Sequence, residues 1–263
     1  MVENDLLPWK VFFILLRKLI KNERQDTVRR IGCFLFSFFL SLSLFPLGAH
    51  AEEHVDALFP AYVYEGVLRE ETAGIPFGTR VRLYEAESGK SYVIGGRKGG
   101  GRVRVPWDAI EPIAKPSPVL PDVSERDITL YAGAHCLSKT DFLLWVDLSR
   151  TRLYVLEYAD EGWALLASLP CAVGDAAHPT PSGRFEICYK SASIGKEDLY
   201  LCRYALCFYG GYMLHSVLFD WAGNEIIDGR TGVRISHGCI RLRHGDSKWL
   251  YESIPIGTAV YIR

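Results

Sequence analysis

The stretch that most restricts how this chain folds is Ile235-Ser236-His237-Gly238-Cys239-Ile240-Arg241-Leu242. It sets an imidazole, a thiol and a guanidinium within a few residues, with one glycine between His and Cys. If the run is extended, side chains alternate between two faces. His237, Cys239 and Arg241 then share one face, and Ile240 and Leu242 enter a core on the other. A nucleophile needs that placement: anchored from behind, open in front, close to positive charge. Positive surroundings and a nearby base favour the thiolate, the reactive form.

The run closes a longer pattern. Upstream lie Gly174, then Thr180-Pro181-Ser182-Gly183-Arg184-Phe185-Glu186-Ile187, then Leu214-His215-Ser216; downstream lie Asp246 and Pro255-Ile256-Gly257-Thr258-Ala259-Val260-Tyr261-Ile262. This order resembles the L,D-transpeptidase (YkuD-like) catalytic domain, from Asp127 to Arg263, roughly half the chain. The resemblance implies a mainly β fold: a β-sandwich catalytic domain with a short helix.

Of 263 residues, 30 are Lys or Arg and 31 are Asp or Glu, a formal net charge of −1. Residues 1–51 hold seven basic and four acidic residues, which leaves a net −4 on the remainder. No basic stripe survives, so a nucleic-acid partner is not expected.

Ile31 to Ala51 contains no Lys, Arg, Asp or Glu, follows Arg29-Arg30, and ends in Ala49-His50-Ala51. A positive segment, an apolar run and a small-x-small site read as a secretory signal peptide. The competing reading is an uncleaved membrane anchor. Either way the catalytic part leaves the cytoplasm for the periplasm or cell envelope, and membrane contact is confined to this segment. Translation from Val28 would give a more compact signal.

Seven cysteines fall at positions 33, 136, 171, 188, 202, 207 and 239. Export permits disulfides, and Cys202 and Cys207 are the local candidates. The alternative is that most are small buried hydrophobes. The Cys-x2-Cys spacing of many zinc sites is missing from the sequence.

Short strand-like runs separated by glycines fill Ala61 to Ile113: Tyr62-Val63-Tyr64, Val67-Leu68-Arg69, Arg80 to Tyr84, Tyr92-Val93-Ile94 and Arg102 to Val105. Gly-Thr-Arg-Val-Arg-Leu followed by Val-Pro-Trp resembles a bacterial SH3-like barrel, placed at 55–113. Pro112, Pro116, Pro118 and Pro121 mark an extended linker at 114–126. From Asp127 the pattern is again mostly β. Phe142 to Asp147 and Arg152 to Glu157 form a hairpin, Trp163 to Ala172 a strand, and Ala259 to Ile262 the last strand. One short helix is expected, N-capped near Asp246.

In the resembled family, Cys239 is the nucleophile and His215 the general base, a role suited to a His titrating near neutral pH. The carbonyl of Ser216 would orient it. Twenty-four positions separate His215 from Cys239, more than the family's usual interval, and the surplus falls in Asp220 to Gly232, a candidate lid insertion. His237 is the competing base, assigned by the resemblance to shaping the site. Gly238 and Cys239 supply backbone N–H groups for an oxyanion hole, with Ser236 and Ser216 shaping the site. Arg241 would bind a substrate carboxylate or set the thiol's charge, against the alternative of a structural ion pair. His178 and His244 read as surface residues, although His178 is close enough to Thr180 to line a groove.

The resemblance implies cysteine-dependent acyl transfer on peptidoglycan tetrapeptide stems, through a thioester, to form 3→3 cross-links. It implies no metal or organic cofactor, and acylation by carbapenem inhibitors. The alternatives are a carboxypeptidase or endopeptidase using water, attachment of an outer-membrane lipoprotein lysine, a wall-binding protein acting through the SH3-like module, and a zinc site at His215, His237 and Cys239.

Overall fold

A computed structural model describes residues 55–87, 89–95, 101–159 and 162–263. The proposed signal or anchor segment, 1–51, lies outside the described residues. The chain is mainly β, as expected. Strands β1 (Tyr64–Leu68), β2 (Arg80–Glu87), β3 (Ser91–Gly95), β4 (Arg102–Pro106) and β5 (Ile110–Pro112) form one sheet in the order β4-β3-β2-β1-β5. All its pairings are antiparallel. A single turn of 3-10 helix, Trp107–Ala109, joins β4 to β5. The first two strand-like runs of the sequence are one strand, β1. Residues 113–124, the Pro-rich stretch, carry no regular secondary structure.

The helix α1 (Glu125–His135) follows, where the sequence pattern read as β. Its start is a capping box: Asp127 N–H donates to the Ser124 hydroxyl (3.2 Å) and Ser124 N–H donates to the Asp127 carboxylate (2.9 Å). Ile128, Tyr131 and Ala132, spaced for one helical face, are buried. That i, i+3, i+4 spacing was the readable signal.

Strands β6 (Phe142–Asp147), β7 (Arg152–Ala159), β8 (Gly162–Pro170), β9 (Val173–Gly174), β10 (Gly183–Glu186), β11 (Tyr189–Lys196), β12 (Tyr200–Tyr209), β13 (Tyr212–Ser216), β14 (Leu218–Phe219), β15 (Ile226–Asp228), β16 (Arg234–Ser236) and β17 (Ile240–Leu242) precede helix α2 (His244–Ser253) and β18 (Ala259–Ile262). They build a five-stranded sheet, β10-β18-β6-β7-β8, and a six-stranded sheet, β15-β14-β12-β13-β17 with β11 on β12. Strand β16 pairs with β9.

The continuous apolar run of β6 reflects burial on both faces. Leu144 and Val146 enter a core shared with Leu206, Leu214, Ile240 and Leu242 of the six-stranded sheet. Leu143 and Trp145 point the other way, beneath Ile128 and Tyr131 of α1. The first core also takes in Tyr64, Leu83 and Ile94, so the N-terminal sheet and the C-terminal half share one core. Each fully buried aliphatic side chain contributes about 1.5–3 kcal/mol.

Helix α2 begins at His244, capped by Arg243 without a side-chain hydrogen bond. Asp246 is therefore not its N-cap. It sits in the first turn, where a carboxylate favours the helix N-terminus. Cys136, Cys171, Cys188, Cys202, Cys207 and Cys239 are all free thiols. Cys202 and Cys207 lie on the single strand β12, about 16 Å apart at ordinary strand rise, too far for a disulfide.

Candidate active site

Strands β13 and β17 run parallel, with Leu214 opposite Ile240, His215 opposite Arg241 and Ser216 opposite Leu242. Leu214, Ile240 and Leu242 are anchored in the inter-sheet core. By alternation, Met213, His215 and Arg241 face away from it, and Met213 packs with Cys207 and Cys239.

The run 235–242 is not one strand. It breaks between β16 and β17 at Gly238, whose φ is +100°. Ser236 brackets the break: its hydroxyl accepts from Gly238 N–H (3.1 Å) and donates to the Cys239 carbonyl (2.5 Å). A Cβ on Gly238 would lie 2.4 Å from the Tyr212 ring and 3.1 Å from the Pro179 carbonyl, so both conformation and space demand glycine. The shared face expected for His237, Cys239 and Arg241 is lost at this turn. His237 is exposed, Cys239 half-buried and Arg241 buried.

Gly174 holds the turn from behind. Ser236 is its register partner across the parallel β9–β16 pair. Its N–H donates to Thr180 Oγ1 (2.8 Å) and its carbonyl accepts from Tyr64 Oη (3.0 Å). The Thr180-Pro181-Ser182-Gly183 stretch thus frames the site through Thr180 and the preceding Pro179.

His215 is buried, and its Nδ1 lies 2.7 Å from the Ser216 carbonyl. A carbonyl only accepts, so Nδ1 carries the proton and Nε2 is left as the basic nitrogen. Burial pushes the imidazole down to about 4, with Arg241 adding to the shift and the Ser216 carbonyl opposing it. The ring is neutral near pH 7. The Cys239 thiol is pushed up by burial, against the Met213 backbone and the Arg241 charge. It makes a long contact to the Gly211 carbonyl (3.9 Å). Among the described residues no hydrogen bond joins His215 to Cys239. Such links often tighten only when substrate arrives.

A neutral buried histidine has a consequence for stability. His215 binds its proton near 6.5 when unfolded and near 4 when folded. The unfolded state therefore holds more protons between those values, and stability present above pH 6.5 is lost as pH falls toward 4. The expected loss is about 3 kcal/mol. Urea unfolding at intervals from pH 7 to pH 4 checks it. His215→Gln should flatten the slope in that window, and an unchanged slope would reject the assignment.

Arg241 is buried and sits 2.8 Å from Asp228 Oδ2 through Nη1. The contact is close but poorly aligned: Nε and Nη1 have no properly directed acceptor among the described residues. Hydrogen bonds from Arg230, then the Arg241 charge, hold the Asp228 carboxyl well below the usual range. Asp228 lies on β15, inside the surplus stretch 220–232. That stretch supplies the turn and the outer strand, β15, of the β14–β15 hairpin on the sheet edge, and the ion pair ties it to the site. Neither spacing nor composition marked Asp228 in advance.

His178 is not a surface residue. Its side chain is 15% exposed, its Nδ1 donates to Asp175 (2.9 Å), and its ring stacks on His237 at 4.1 Å. His244 likewise packs against Tyr204 and Phe219. Tyr212, unmarked in the sequence, donates from its hydroxyl to the Ala86 carbonyl of the N-terminal sheet (2.9 Å).

Residues 141–262 match the family model described as YkuD, the L,D-transpeptidase catalytic domain. The chain is 32% identical over 124 residues to the probable L,D-transpeptidase ErfK/SrfK of Salmonella typhimurium, covering 47% of this chain and 29% of that protein. It thus spans less than a third of this curated relative. Two solved structures are similar in part. A fused Zn-dependent amidase/peptidase/peptidoglycan-binding domain-containing protein from Clostridium acetobutylicum is 29% identical, with a TM-score of 0.45, over 56% of this chain and 66% of that one. The LD transpeptidase LdtMt1 in complex with imipenem is 21% identical, with a TM-score of 0.36, over 47% and 59%.

Proposed function

Because residues 141–262 of this chain match the family model of the YkuD L,D-transpeptidase catalytic domain, we propose that it is a cysteine-dependent acyl transferase acting on peptidoglycan tetrapeptide stems. The observation that carries this reading is His215, neutral and aimed by the Ser216 carbonyl, on the strand beside the one that follows Cys239. His215 Nε2 takes the thiol proton as Cys239 attacks the carbonyl of the third stem residue. The terminal D-alanine leaves with that proton, and a thioester remains. An amine of a second stem then attacks the thioester and restores the thiol, giving a 3→3 cross-link.

The oxyanion role falls first to the Cys239 N–H, since the Gly238 N–H already serves Ser236. With Asp228 seated on Arg241, the guanidinium acts as fixed positive charge beside the thiol, and a substrate carboxylate would have to displace Asp228 to reach it. His237 shapes the exposed side of the site. We read the N-terminal sheet as the SH3-like module and residues 1–51 as an export signal or anchor, which places the enzyme in the periplasm or cell envelope. Carbapenems are expected to acylate Cys239.

The test is incubation of the purified protein with disaccharide-tetrapeptide, with Cys239→Ala alongside, followed by mass spectrometry. A Cys239-dependent dimer lacking one D-alanine is expected. A Cys239-dependent tripeptide monomer alone would make the enzyme a hydrolase. No Cys239-dependent product would sink the stem-peptide transpeptidase reading and move attention to a lipoprotein lysine acceptor or to wall binding.

A further inference from the structure

His237 ends a column of rings that starts in the N-terminal sheet. Tyr92 of β3, 1% exposed, stacks on Trp107 at 4.5 Å and 11°. Trp107 leans on His178 at 5.3 Å. His178 stacks on His237 at 4.1 Å and 25°. The His178 ring is pinned in this column, because Nδ1 donates to Asp175 Oδ1 (2.9 Å). The same oxygen accepts from the N–H groups of Ala177 (2.9 Å) and His178 (2.7 Å).

The side chain so braced sits at a turn, and among the described residues no hydrogen bond holds its ring. His237 is exposed and precedes Gly238, whose backbone conformation is open to few other residues. Its ring has free rotamers on the solvent side unless something occupies its face. The column occupies that face. The N-terminal sheet is itself registered against the same turn by a second route. Tyr212, whose ring packs under Gly238, bonds the Ala86 carbonyl (2.9 Å) and receives the Ala86 N–H (3.4 Å).

We propose that Trp107 and His178 are positioning residues for His237, so that the N-terminal sheet completes the active site by backing the imidazole that flanks Cys239. Trp107 supplies a rigid apolar wall, and His178 transmits it through face-to-face contact. The N-terminal sheet is then a working part of the catalytic centre. The catalytic part of this proposal rests on the reading of Cys239 as nucleophile; the stacking of His237 does not.

The test compares Trp107→Ala, Trp107→Phe and His178→Ala in the full chain. One readout is the rate of meropenem adduct formation on Cys239 by intact mass. The other is the position of the His237 ring resonances in protein carrying carbon-labelled histidine, assigned with His237→Gln. Ring currents from a stacked neighbour displace those resonances, so they report the stack without any turnover. The two alanine variants should move the His237 resonances and slow adduct formation about tenfold, within what misplacement of a catalytic group costs. Trp107→Phe, which keeps an aromatic face, should restore both. His237 resonances unchanged in both alanine variants would overturn the proposal, as would a Trp107→Phe variant as defective as Trp107→Ala. If Trp107→Ala fails to fold, His178→Ala and Trp107→Phe carry the comparison. If the parent protein forms no adduct at all, the acyl-transfer reading fails while the resonances still decide the positioning.

Discussion

His215→Ala should slow acylation of Cys239 by roughly 100- to 10,000-fold, the range that a positioned general base contributes. Burial keeps the thiol protonated and draws the imidazole down to about 4. The resting pair is therefore neutral, and the reaction has to move a proton from Sγ to Nε2. Without the imidazole, attack waits on the small thiolate fraction present in water, so the variant's rate should climb with pH up to the raised range of the thiol. The parent should keep its activity on the acid side until pH nears 4, where His215 takes up a proton. Stopped-flow acylation by meropenem across pH 4 to 9 distinguishes the two profiles. A loss smaller than tenfold, or an identical pH profile, would remove His215 from the base role and promote His237.

The second large effect concerns stability. Asp228→Ala should destabilise the fold by about 3 kcal/mol, the low end of the cost of stranding a buried charge, because Arg241 is buried while the Asp228 side chain is 19% exposed. Arg241 is 5% exposed and lies opposite His215 in the parallel register. Once Asp228 is gone, its charge has no counter-ion at hand and stands beside a second buried titratable group. The double replacement Asp228→Ala with Arg241→Met should recover most of that loss, because an apolar side chain of similar length fills the site without a charge to desolvate. Urea denaturation of the two single variants and the double variant closes the cycle. Equal destabilisation in the single Asp228→Ala and the double variant would show that Asp228 acts through the hairpin backbone and not through Arg241. Arg241→Met should also let the His215 pKa rise, since the guanidinium is one of the forces holding it down.

Much of this protein is legible in its sequence because the signals are local. The hairpin of β6 and β7 and the final strand β18 follow from apolar runs bounded by turn residues. His215 and Ser216 lie on β13 and Cys239 directly precedes β17, and the hydrophobic neighbours Leu214, Ile240 and Leu242 specify which face of those strands is core. The single glycine between His237 and Cys239 is legible as a special position, and its φ of +100° and the Tyr212 ring give the reason. Helix α1 escaped because its apolar spacing is short and its capping box uses Asp at the third position.

The contacts that finish the site lie beyond sequence reading, since they join residues far apart in the chain by surface shape alone. No spacing rule links Asp228 to Arg241, Trp107 to His178, or Ala86 to Tyr212. The last two pairs are 71 and 126 positions apart. The sequence by itself determined the chemistry available: a thiol at a glycine turn, an imidazole aimed by the next carbonyl, and strands to hold them. Only the tertiary structure decided which charge is neutralised, which histidine is braced and which sheet braces it. Those outcomes depend on side chains meeting across packed layers, where burial makes each pairing or stacking choice costly to reverse.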